Sequence, residues 1–221
     1  SRNSPFAIRP SQFELRNSQF APPMTRSLLI FLGAFAAISM SFTALALLPG
    51  LQLSTIEPTP GTDDYTFEEQ RGREIYIRDG CLFCHTQQVR PDGFGADIQR
   101  GWGSRGSFPG DYVYDETHQL GTMRTGPDLH DIASRQPSRD WHLAHLYQPR
   151  SVSPGSVMPA YPYMFEVKSR SNVLPSDVTV PISPEYAPPE GKVVVAKEEA
   201  LYLYDYLMTL RLEPLEENRD G

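Results

Sequence analysis

The pentapeptide Cys81-Leu82-Phe83-Cys84-His85 limits what this chain can become more than any other stretch, because its two cysteines are the only two in the sequence. Two thiols held two residues apart and followed at once by an imidazole form the C-x-x-C-H arrangement of a c-type haem attachment site. The thiols can add to the two vinyl groups along one edge of a porphyrin, and the next side chain then lies beneath the iron as an axial ligand. A structural zinc site needs four ligands, commonly from a second close pair of Cys or His, and there is no second thiol pair. A thioredoxin-like dithiol follows a buried strand and opens a helix, whereas the residues before Cys81 read as helix; a redox dithiol is the alternative left standing. One C-x-x-C-H predicts one covalently bound haem c, with Cys81 and Cys84 as its tethers and His85 on its iron.

A second constraint lies upstream. Residues 27–48 carry no charged side chain, which is about the 20 apolar residues needed to cross a bilayer. The apolar core of a signal peptide is shorter, at about 7 to 15 residues, so the run reads as a transmembrane anchor in a lipid bilayer. Arg2, Arg9, Arg16 and Arg26 precede it, while Glu57, Asp63, Asp64, Glu68 and Glu69 follow it. The positive-inside rule then puts the N-terminus in the cytoplasm and the rest in the periplasm of the bacterial inner membrane, the side on which c-type haem is attached. The run has no His to hold a second haem. Its small residues, among them Gly33, Ala34, Ala37 and Ser41, suit packing against a larger membrane subunit.

These features divide the chain into a cytoplasmic extension (1–26), the anchor (27–48), a linker (49–64) with Pro58, Pro60 and Gly61, a haem domain (65–212) and an acidic tail (213–221). A net charge of −7 argues against nucleic acid as a partner. With 21 Pro, nearly all of them outside the anchor, the domain is expected to be mainly α, a small core wrapped by long loops.

Within the domain, Thr66-Phe67-Glu68-Glu69 has the form of a capping box, so a helix should begin there and break near Gly80. Gly72 and Tyr76 share one of its faces, and Gly72 would let a second helix cross closely. That second helix is read over 196–212, with Leu203, Tyr206, Leu207 and Leu210 on one face and Tyr206 against Gly72. Residues 86–122 form a long loop of the kind that is usually functional or wrapped on a ligand. Arg90, Arg100, Arg105 and Arg124 are candidates to pair with haem propionates, since Arg offers a fork matched to carboxylates, though each is equally readable as a surface charge. Trp102 is a candidate to stack near the haem edge, or simply to pack.

Residues 126–129 read Gly126-Pro127-Asp128-Leu129. In class I cytochromes c a Gly-Pro-x-Leu segment passes behind the proximal His, its Pro carbonyl accepting the imidazole Nδ1–H while the Leu packs on the haem. A short helix follows over Trp141–Tyr147, where His142 and His145 share a face; without a third ligand nearby they read as polar contacts to the loop rather than a metal pair. Met158 lies in an extended loop framed by Pro154 and Pro159. Its thioether is the soft sixth ligand expected here, preferred over Met123 and Met164, which lack the proline frame, and over His118, His130, His142 and His145. Residues 165–195 are Pro-rich and are expected to form an extended insert lying on a partner.

From Gly72 to Tyr163 the chain resembles the mono-haem cytochrome c subunit (subunit II, CcoO/FixO type) of cbb3-type haem-copper oxidases. The strings GREIYIRDGCLFCHTQQVRP, YVYDETHQLGTMRTGPDL and DWHLAHLYQPRSVSPGSVMPAYPYM carry the resemblance, in order and spacing. It implies a class I cytochrome c-type domain with His85 and Met158 as axial ligands. It also implies single-electron transfer from another cytochrome c subunit or a soluble donor to a membrane-embedded haem-copper catalytic subunit that reduces oxygen. Two features depart from that pattern: the 165–195 segment is unlike the family's usual one, and Leu120 stands where the family tends to have Trp. The alternatives are a cytochrome c subunit of a membrane nitric oxide reductase or other respiratory complex, and a haem-based ligand sensor with a labile sixth position.

Overall fold

A computed structural model describes residues 23–214; most of the expected cytoplasmic extension and of the acidic tail lies outside them. The chain divides into two units, Ser1–Thr55 and Ile56–Gly221. The first is helical. Helix α1 (Pro23–Phe42) runs into a π-helical turn, Thr43–Leu47, and on into α2 (Leu48–Leu53). Together they give a stretch, Thr25–Leu53, with a mean hydropathy of 2.2 that is long and apolar enough to cross a membrane. Helical backbone thus continues past Leu48, where the sequence reading placed the start of a linker. Pro49 has no N–H to donate and its ring crowds the preceding turn; the widened π turn directly before it absorbs both defects.

In the second unit, α3 (Phe67–Arg78) opens as expected. The Thr66 N–H donates to Glu69 Oε2 at 2.7 Å, and the Glu69 N–H donates to Thr66 Oγ1 at 3.3 Å, so two backbone donors at the helix start are satisfied reciprocally. The helix stops at Asp79, and Gly80, at φ +72°, swings the chain into the tight turn that carries Cys81. Helix α6 (Glu198–Thr209) crosses α3 at Gly72. A Cβ there would overlap the Tyr202 carbonyl and come within 2.7 Å of Tyr206 Cβ. Glycine is required for that approach, and the Tyr76 and Tyr206 rings then meet edge to face at 5.6 Å. Between α3 and α6 lie the short α4 (Ile132–Arg135) and α5 (Arg139–Tyr147), the latter capped by the Ser138 hydroxyl, which accepts from the Trp141 N–H.

The expected extended insert is folded instead. Strands β1 (Phe165–Ser169), β2 (Thr179–Val180) and β3 (Lys192–Ala196) form an antiparallel sheet in the order β1-β3-β2, with Phe165 opposite Ala196 and both Val167 and Val180 opposite Val194. Phe165, Val180, Val194 and Ala196 join the domain's own core, beside Leu143, Leu203 and Tyr206. The β-branched run Val193-Val194-Val195 suits a pleated, half-buried surface. Pro175, Pro181, Pro184, Pro188 and Pro189 all fall in the connections, where no ladder donor is needed.

Candidate haem site

The turn after Gly80 gathers the chemistry. The Cys84 and His85 N–H groups both donate to the Cys81 carbonyl, at 3.1 and 2.9 Å, so two thiols and an imidazole project from one turn. Both cysteines are free, Cys81 half-buried and Cys84 exposed. Burial, with the nearby Asp79 charge adding to it, pushes the Cys81 thiol up to about 12.

His85 Nδ1 lies 2.8 Å from the Pro127 carbonyl. A carbonyl only accepts, so the proton is on Nδ1 and Nε2 keeps its lone pair. Burial holds the imidazole below its ordinary pKa, against the Pro127 bond, and the neutral ring is the metal-binding form. Residues 126–129 reach this position through three ties. The Gly126 N–H donates to the Cys84 carbonyl at 2.9 Å and the Leu129 N–H to the Thr86 carbonyl at 2.8 Å. The third is Asp128, fully buried, whose Oδ2 accepts from Thr86 Oγ1 at 2.5 Å and the Gln88 N–H at 2.9 Å while Oδ1 accepts from the His130 N–H at 2.9 Å. Two glycines let the backbone pass the ring. A Cβ on Gly126 would sit 2.6 Å from His85 Nδ1, and one on Gly121, at φ +76°, would sit 2.6 Å from the His85 carbonyl.

Cys81, Leu82, Leu129, Met158 and Tyr161 are half-buried against the same apolar cluster, which is thus shared by one tether, the Leu of the 126–129 segment and the predicted sixth ligand. Of the other methionines considered, Met164 is fully buried in the core and Met123 is 54% exposed. Three of the competing histidines are engaged elsewhere: His130 Nδ1 with Ser107 Oγ at 2.6 Å, His142 Nε2 with the Gln136 carbonyl at 2.7 Å, and His118 edge-on to Tyr112. Among the described residues no group of three or more His, Cys, Asp or Glu is placed to hold a metal ion.

The arginines tell a different story from the one their abundance suggested. Arg105 forks onto Asp111 at 2.7 and 2.9 Å and also donates to the Glu213 carbonyl at 2.8 Å. Arg124 pairs with Asp97 and donates to the Gln88 carbonyl. Burial raises Asp97, but Arg124 and the Arg90 N–H outweigh it and hold its carboxyl below the usual range. Trp102 has the Arg100 and Arg124 guanidiniums over its ring, at 4.9 and 5.4 Å. These contacts commit Arg105, Arg124 and Trp102 to bracing the 86–126 loop, since each is already spoken for by a neighbour within the chain. Two contributors escaped the sequence reading: Asp128 as the hub behind His85, and Arg135, which donates to the Asp128 carbonyl.

A family model described as cytochrome c oxidase, mono-haem subunit/FixO, matches residues 24–198, most of the chain. The chain belongs to this family. It is therefore a membrane-anchored cytochrome c subunit of a cbb3-type oxidase, an electron-transfer component of a respiratory complex that contains a haem-copper catalytic subunit. The matched span starts inside α1 and runs through the 165–195 segment, so that segment lies within the range of the mono-haem FixO family rather than outside it. A comparison with curated proteins finds no match. The Cys81–Cys84 pair and the imidazole beside it are consistent with the c-type haem site such a subunit carries.

Proposed function

We propose that Cys81 and Cys84 hold one haem c through thioether bonds, with His85 and Met158 as its axial ligands. The observation that carries this reading is the hydrogen bond from His85 Nδ1 to the Pro127 carbonyl, made over Gly126. It fixes the ring and raises the basicity of the nitrogen left free. The bound haem supplies one-electron chemistry; the chain's work is to fix the ligands and the surroundings. Met158 offers a soft thioether that favours the reduced state, and with both axial positions filled by side chains there is no open position for oxygen. Oxygen reduction then belongs to the catalytic subunit, which receives the electron from this domain, and the donor is another cytochrome c subunit or a soluble carrier.

Cys84 is exposed, and Phe83 and Val157, the neighbours of a tether and of the sixth ligand, are 65% and 75% exposed, apolar side chains that a bound haem or a docked partner would cover. We place the domain in the periplasm and the N-terminus in the cytoplasm on the charge asymmetry around residues 27–48, and keep the haem domain at 65–212. Arg124 and Trp102 act on the site at one remove, through the loop they brace.

Cys81→Ala, Cys84→Ala and Met158→Ala, purified from membranes as the intact complex, test the assignment. Either cysteine variant alone should keep the haem on a denaturing gel through the remaining thioether, with a haemochrome band shifted by the one unsaturated vinyl group, and Cys81→Ala combined with Cys84→Ala should release it. Met158→Ala should abolish the weak sulfur-to-iron band at the red end of the ferric spectrum while the haem stays attached. Retention of that band in Met158→Ala would overturn the ligand assignment.

A further inference from the structure

Among the described residues, one histidine has a buried ring nitrogen without a hydrogen-bond partner: His145, at Nδ1. Buried polar groups in native structures are nearly always paired, and an exception calls for an explanation. The ring is not loose. It lies flat on Trp141, one turn earlier in α5, with centroids 4.6 Å apart and planes 9° from parallel. Burial holds the ring below its ordinary pKa, with His142 and His85 adding to the effect. The next residue, Leu146, accepts the Tyr161 N–H at 2.9 Å, which staples α5 to the loop just past Met158. Leu143, Leu146, Val152 and Met158 belong to one apolar cluster. His145 thus stands on a helix that is hydrogen-bonded to the chain just past Met158, with a buried nitrogen that no partner among the described residues satisfies.

We propose that His145 is a positioning residue of the haem centre, donating its Nδ1–H to the Met158 sulfur when that sulfur is bound to iron. The inference rests on the reading of Met158 as the axial ligand. It gives the two ligands matching supports: Pro127 accepts from His85 on one side, and His145 donates to Met158 on the other. A thioether is a weak acceptor, but in a dry site a single N–H directed at it matters. Drawing electron density from the sulfur favours the reduced state and restrains the loop against displacement.

The test uses the intact complex carrying His145→Phe or His145→Gln, compared with the parent. Three properties of the subunit haem are read: the ferric sulfur-to-iron band, the midpoint potential, and the affinity of the ferric form for added imidazole, which competes with Met158. His145→Phe should lower the potential and bind imidazole about 3- to 10-fold more tightly, the range expected for one hydrogen bond. His145→Gln, which keeps an N–H, should recover most of both. A parent without the band would overturn the Met158 reading and the inference with it. A parent with the band, joined to a Phe variant unchanged in potential and imidazole affinity, would overturn the His145 role alone. A changed potential with unchanged band and imidazole affinity would also overturn it, moving the ring to a propionate. If the Phe variant fails to load haem, nitrogen NMR of the histidine-labelled ferrous parent decides. An exchange-protected Nδ1–H shifted by the haem ring current supports the bond, and a deprotonated Nδ1 overturns it.

Discussion

Gly126→Ala tests the geometry behind His85 most directly. A Cβ at this position would lie 2.2 Å from His85 Cε1 and 2.6 Å from Nδ1, whereas ordinary contact begins near 3.4 Å. The ring or the residue 126–129 segment must therefore retreat by ~1.2 Å, and that segment is tied down by the Gly126, Leu129 and Asp128 bonds. Such a retreat takes the bond to Pro127, now 2.8 Å, past ~3.5 Å, where it is no longer a hydrogen bond. The lost bond costs about 0.5–1.5 kcal/mol, and the overpacking costs about 1–3 kcal/mol more. Together that is ~2–4 kcal/mol, against which the smaller entropy of an alanine in the unfolded chain offsets about 0.4–1 kcal/mol. Denaturant unfolding of the haem-loaded protein, followed by the haem absorbance, should show a midpoint lowered to match, with a higher potential because the freed ring is a weaker donor and a weaker donor stabilises the oxidised state less. A variant within about 0.5 kcal/mol of the parent, with an unchanged spectrum, would mean that the imidazole does not lie over Gly126.

Three further outcomes follow from the same contacts. Gly72→Ala should destabilise by at least ~2 kcal/mol even though alanine is the better helix former by about 1 kcal/mol, because its Cβ meets the Tyr202 backbone; a neutral melt would refute the close crossing. Asp128→Ala removes the acceptor of three bonds and should cost on the order of 2–4 kcal/mol by stranding buried donors, read in the same unfolding assay, with Ser107→Ala as a milder neighbour. Burial holds His130 and His142 below their ordinary pKa. Below about pH 6.5 the unfolded chain then takes up protons that the folded one does not. Their contribution is complete above that pH and fades as pH falls toward the folded values, by up to about 1.4 kcal/mol per unit for each. Unfolding at pH 7.5 and 5.5 checks the sign, and greater stability at the lower pH would refute it.

What could be read from the sequence was whatever depends on local spacing. The Thr66–Glu69 box, the break at Gly80 and the apolar face of α6 are short-range patterns, and the crossing at Gly72 follows because a glycine on a helix face has few other uses. The partnership of Pro127 with His85 was legible only through resemblance, since nothing local links residues so far apart. The sheet was missed because proline density masked the valines: Pro175 to Pro189 suggested extended chain, whereas the information lay in Val193-Val194-Val195 and in Phe165, which pair with each other's strands. The helix past Leu48 was missed because Pro49 and Gly50 are poor helix interiors in water, and a π turn ahead of them is not encoded in composition. The carboxylate partners of Arg105 and Arg124 were not legible, because an arginine in a loop resembles a free cation until its carboxylate is found in three dimensions.

That last point explains how a domain with so long a loop holds an iron centre steady. Carboxylates take the place of secondary structure. Asp97 accepts from the Arg90 N–H and Arg124, Asp111 from the Phe108 N–H and Arg105, and Asp131 from the Ser104 and Leu212 N–H groups, while Asp115 takes the Tyr65 hydroxyl and faces buried Arg73 at 3.4 Å. Asp97 and Asp131 bind backbone from one segment to a side chain or backbone of another, the role a strand ladder plays elsewhere. Burial raises Asp97 and Asp111, but their arginine and N–H partners win and hold both below the usual carboxylate range. Their contribution is therefore present above about pH 4 and is lost as pH falls through the folded values. The acidic composition that excluded nucleic acid as a partner thus serves an inward purpose. It builds a fixed polar frame on the Pro127 side of His85, while Leu143, Leu146 and Val152 share the apolar cluster against which Met158 packs. A centre that passes single electrons works best when little around it moves as its charge changes, and side chains that are already fully bonded have little left to rearrange.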